Sequence, residues 1–106
     1  MLTQQQLIEL IDEHGHDYFT DTYGNESLTI QVDGDEYKIK CVEHFGGEGE
    51  GDKYWAVFSV TNTKTNKVEY WKIPGWYASY QGGEYTFSSM FRVEQVEKTI
   101  TVWKEI

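Results

Sequence analysis

The sequence predicts an α+β domain, an N-terminal helix packed on an antiparallel sheet of five or six strands in a meander of hairpins. Three observations predict it. A full set of helix signals stands at the start, alternating apolar runs fill the rest, and short turn sequences separate those runs. The 106 residues suffice for a single domain, 1–106, with one modest core. Aromatic residues make up 16% of the chain, and large rings bury much area each, which compensates for its shortness.

Thr3 is placed to cap a helix, with Gln6 as its capping-box partner and Leu2 and Leu7 as a hydrophobic staple. Leu7, Ile8, Leu10 and Ile11 form one apolar stripe, and Gly15 stops the helix, which therefore spans 4–14. Residues 15–26 read as a loop with room for one helical turn. Leu28, Ile30 and Val32 then alternate with polar residues as a half-buried strand does. Asp33-Gly34 is a hairpin turn, and Tyr37, Ile39 and Cys41 alternate with Lys38 and Lys40 in the returning strand.

Residues 46–52, GGEGEGD, form a Gly-rich acidic loop. Residues 53–61 and 67–73 are strands around a turn at 62–66. Counting outward from that turn pairs Val60 with Val68 and Phe58 with Tyr70 on one face. It pairs Val57 with Trp71 and Trp55 with Ile73 on the other, so both faces are apolar. Pro74-Gly75 is expected to end the strand. WYASYQGGEY is then an ordered loop, and 85–95 and 98–105 are two last strands, with Ile100 and Val102 opposite Trp103. One helix covers one face. The other needs a curled sheet, a second layer, a ligand or a homodimer.

The formal net charge is −9, and it is uneven. Glu9, Asp12, Glu13, Asp17, Asp21, Glu26, Asp33, Asp35 and Glu36 precede the first base, Lys38. Direct nucleic-acid binding needs a basic face and is not expected. A partner with a basic surface is. The N-terminus lacks the basic and apolar regions of a secretory signal, no apolar run is membrane-spanning, and Cys41 is a lone cysteine. These features read as a cytoplasmic protein without a membrane anchor or disulfide framework.

Motifs for chemistry are weak. His14, His16, Cys41 and His44 are zinc-type donors in no standard spacing. The acids of 33–36 and 48–52 do not follow a calcium loop, and the glycines of 46–51 lack the Lys-Ser/Thr of a phosphate loop. No cofactor and no catalytic residue is expected. The aromatic segment is more informative: Trp76, Tyr77 and Tyr80, with Gln81, resemble the rigid anchors of a recognition loop. Glu48, Glu50 and Asp52 lie at the other end of the same hairpin, close to them. The expected function is a non-enzymatic interaction protein. The alternatives are a pocket for a neutral sugar or nucleoside between these loops, and a DNA mimic built on the nine early acids.

GGEGEGDKYWAVFSV followed by YWKIPGWYASYQGGEY resembles small uncharacterised proteins of tailed bacteriophages, including cyanophages. The matching residues are Gly46, Gly47, Glu48, Gly49, Gly51 and Asp52, then Tyr77, Ser79, Tyr80 and Gly82, and VEQVEKTITVW resembles the family's tail. The likeness spans residues 41–104. It implies a phage setting, with a host protein in the host cytoplasm as the partner, and transfers no biochemical activity.

Overall fold

A computed structural model describes residues 1–21, 27–47, 49, 51–78, 80, 82–96 and 103–106. Helix α1, Gln4–His14, begins with the predicted capping box. Gln6 N donates to Thr3 Oγ1 at 3.2 Å, and Thr3 N donates to Gln6 Oε1 at 2.9 Å. These bonds satisfy amides that a helix start otherwise leaves orphaned. Leu2 and Leu7 are both buried, as the staple requires. Gly15, at φ 90°, turns the chain out of the helix. A short helix, α2 (Asp17–Thr20), follows and buries Phe19.

The sheet is an open antiparallel meander, β1 (Leu28–Val32), β2 (Asp35–Phe45), β3 (Lys53–Asn62), β4 (Lys67–Ala78) and β5 (Gly82–Tyr85), in that spatial order. A short β6 (Phe91–Val93) shares with β5 the free edge of β4. Asp33 and Gly34 both have positive φ, as a two-residue primed turn demands. Both helices lie on one face of the sheet. The core joins Leu7, Leu10, Ile11 and Phe19 to Ile39, Phe58, Val60, Trp71 and Ile73. Gln4 Nε2 ties α1 to the sheet edge, donating to the carbonyls of Ser88 (2.8 Å) and Met90 (3.2 Å).

Three expectations are corrected. The β3–β4 register differs by one residue: Phe58 pairs with Trp71, Val60 with Glu69 and Ala56 with Ile73. The cause is Asn62. Rather than opening the turn, it pairs with Lys67, and its Oδ1 accepts the amides of Lys64 (3.0 Å) and Thr65 (3.3 Å). The loop is therefore four residues, closed by Asn66 at φ 61°. A one-residue slip exchanges the faces, so Trp55 and Val57 do not share a face with Trp71 and Ile73.

Second, β4 runs through Pro74. A residue in a ladder turns its N–H and C=O to the same neighbour. The Pro74 carbonyl accepts Thr86 N at 2.8 Å, so its missing N–H faces the gap between the stretches of β4 paired with β5 and β6. The segment read as an aromatic loop is thus a hairpin, with Ala78 opposite Gly82. Third, residues 85–95 are not one strand, because a 3-10 turn at Phe87–Ser89 separates β5 from β6. Most of the expected strand 98–105, including Ile100 and Val102, falls outside the described residues. Trp103 is exposed, and 103–106 carry no strand.

Candidate functional site

The acidic and aromatic segments do meet at one end of the sheet. Lys53 pairs with Trp76, and Tyr77 N donates to Asp52 O at 3.1 Å. Glu48, Glu50 and Gln81 lie outside the described residues. The three rings do not converge. Trp76 and Tyr77 are consecutive in β4 and take opposite faces. Trp76 is 40% exposed on the face away from the helices, and Tyr80 stands 82% exposed in the turn. Tyr77 lies on the helix side of the sheet, 6.1 Å from the Tyr54 ring.

That side holds an aromatic cluster. Gly75 sits between Tyr54 and Tyr85 in adjacent strands, whose rings meet at 4.6 Å, and a Cβ at Gly75 would strike the Glu84 carbonyl. Tyr54 also lies against Gly83, where any Cβ would strike its ring. Phe87 extends the cluster 6.0 Å from Tyr85. Burial, reinforced by the hydrogen bond to Tyr54, holds the Tyr85 phenol far above its ordinary range. Burial likewise pushes the Cys41 thiol up to about 11 from 9.0, a backbone hydrogen bond at Glu43 only partly offsetting this.

Both groups keep their protons at neutral pH and are poor nucleophiles. The sign for stability follows. The unfolded thiol ionises near 9.0 while the folded one waits until about 11, so Cys41 stabilisation is full below pH 9 and declines as pH rises through that window. Cys41 is expected to resist a disulfide exchange reagent at pH 8 in the native protein and react fully in denaturant. Fast native reaction would contradict its burial.

The opposite face of the sheet carries the feature that the sequence register concealed. Its rows, read across the strands, are Phe45–Trp55–Pro74, Glu43–Val57–Lys72–Phe91, Lys40–Ser59–Tyr70–Val93 and Lys38–Thr61–Val68. Phe45 stacks on Trp55 at 5.6 Å, and Lys72 Nζ sits 4.4 Å above the Trp55 ring. A groove of about 600 Å³ opens here. Trp55, Val57, Tyr70 and Lys72 form its floor, and 42–43 and 93–96 its walls. Val42 faces the groove by alternation from Lys40, and the bulge it forms turns Glu43 to the same face, opposite Val57. Of the described residues expected at the two loops, Asp52, Trp76, Tyr77 and Tyr80, none lines the groove. The Asn62 side-chain cap is the sequence signal that would have revealed it.

Charge is divided between the two sides. Glu9, Asp12, Glu13 and Asp17 belong to the helices and Asp21 follows them, with no Lys or Arg among residues 1–21. Strand alternation puts Lys38, Lys40, Lys53 and Lys72 on the outer face beside Glu36, Glu43 and Glu84, with Glu94 at the groove wall. Among the described residues no three His, Cys, Asp or Glu gather as a metal site. His16 Nδ1 instead lies 3.1 Å from Thr20 Oγ1, and Cys41 Sγ donates to Glu43 O. No described helix is long and apolar enough to cross a membrane. Comparison with protein-family models, curated proteins and solved structures finds no match to this chain.

Proposed function

We propose that this chain is a non-enzymatic interaction protein that engages a protein with a basic surface. The observation that carries this reading is the two-sided domain. An acidic helical layer without a Lys or Arg backs a sheet whose other face ends in Trp76, 40% exposed, with Tyr80, 82% exposed, in the turn beyond it. Acidic fields speed and orient encounters with basic surfaces, and exposed aromatic anchors supply the binding energy. The protonated Cys41 and Tyr85 favour binding over nucleophilic chemistry. In the phage setting that the sequence resembles, the partner is a host protein.

The test is capture from bacterial lysate by wild type, by a Glu9→Gln/Asp12→Asn/Glu13→Gln variant and by Trp76→Ala/Tyr80→Ala. Wild type should retain a basic protein in low salt and release it as salt approaches 0.5 M, since screening shortens the field to a few ångströms. The neutralised variant should capture it about tenfold less, and the aromatic variant should lose it. The same captured set for all three proteins would overturn the reading.

A further inference from the structure

We infer that a second copy of this chain covers the outer face of the sheet, around a twofold axis running along β3. The inference goes beyond the proposed function: it names what covers the rest of the outer face, leaving Trp76 and Tyr80 at its end for the basic partner. The first argument is charge. A chain of net charge −9 repels its own copy over most of its surface. The outer face is the exception. Lys38, Lys40, Lys53 and Lys72 there balance Glu36, Glu43, Glu84 and Glu94, while the acids of the helical layer point away from it.

The second argument is register. β3 is the middle strand of the meander, and Glu43 and Lys72 flank Val57 in one row, one on each side. Rotation by 180° about β3 exchanges the two sides. It sets each Glu43 against Lys72 of the other copy, a reciprocal pair of ion pairs about Val57. The neighbouring rows obey the same operator. Lys40 comes over the Tyr70 ring of the other copy, and Phe45 over its Pro74. The groove walls also exchange, bringing Val42, 44% exposed, toward the other copy's Val96, 70% exposed. Packed sheets keep their strands within about 30° of each other, so the central row is the least displaced by twist.

The third argument is area. Four strands about 4.8 Å apart and some eight residues long at about 3.3 Å each give a face on the order of 500 Å². Two such faces remove about 1,000 Å², the threshold of a specific interface and too little for a permanent one. The dimer is therefore expected to form in the micromolar range. It leaves an acidic helical layer on each outer side, so one assembly offers two steering surfaces to a basic partner.

Light scattering between about 5 and 200 µM tests this in the full chain. Wild type should rise from 12.4 kDa to twice that mass. Glu43→Lys alone and Lys72→Glu alone should each raise the dissociation constant at least tenfold, by placing like charges opposite one another. The Glu43→Lys/Lys72→Glu double exchange should restore it to within about threefold, with circular dichroism unchanged throughout. A wild-type mass of 12.4 kDa at 200 µM, or single variants as dimeric as wild type, would overturn the inference. So would a double exchange that fails to recover. The lysate capture above reads the broader function separately: a monomer that still captures a basic protein refutes the dimer alone.

Discussion

Phe58→Ala is expected to lower unfolding stability by about 3–5 kcal/mol, as removal of a fully buried ring does when the core cannot collapse around the space. Phe58 is 0% exposed at the centre of β3, and its ring meets the edge of Phe19 at 5.1 Å. Phe19 itself is buried from α2, so the pair joins the helical layer to the middle of the sheet. For a domain of this size 1 kcal/mol moves the melting temperature by roughly 4–8 °C, so a fall of about 15–30 °C is expected. Urea titration should show the loss as a lower midpoint with little change in slope. A fall of under about 5 °C would mean that α2 does not pack where the structure puts it.

The parts of the fold set by local chemistry were legible in the sequence. Helix α1, its capping box and its staple follow from Leu2, Thr3, Gln6 and Leu7. The first hairpin follows from Asp33-Gly34, whose positive φ angles few other dipeptides accept. The second hairpin was harder because its loop carries no glycine. NTKTN can be read as five turn residues or as a strand end and four, and what decides it is the local Asn62 side-chain cap on Lys64 and Thr65, a signal that a count of turn residues passes over. The slip had a large consequence, since side-chain period in a strand is two. The sequence count made two apolar faces, where the structure makes one core and one mixed apolar and lysine-bearing face.

Pro74 misled for a related reason. Proline ends strands whose neighbour needs its N–H, but a gap between two short edge strands needs none. The proposed loop site was half legible. Asp52 and Tyr77 do come together, as antiparallel pairing requires. What the sequence could not show is that β4 continues through Trp76 and Tyr77, which sends these rings to opposite faces.

Val57 and Ile73 lie on opposite faces of the sheet, one on the outer surface and one in the core. They would share a face in the register counted from the sequence. Ile73 is 0% exposed, and Val57 is half-buried between Glu43 and Lys72. Ile73→Asp should remove an apolar contact and bury a carboxylate, together costing at least about 4 kcal/mol and leaving a chain unfolded near room temperature. Val57→Asp should cost about 1 kcal/mol from weaker strand propensity, keeping its fold while losing the dimer. Thermal melts of the two variants, followed by circular dichroism, read this placement. A cooperative melt within about 10 °C of wild type is expected for Val57→Asp and none for Ile73→Asp. Loss of the melt in both, or in Val57→Asp alone, would mean that Val57 is not on the outer face.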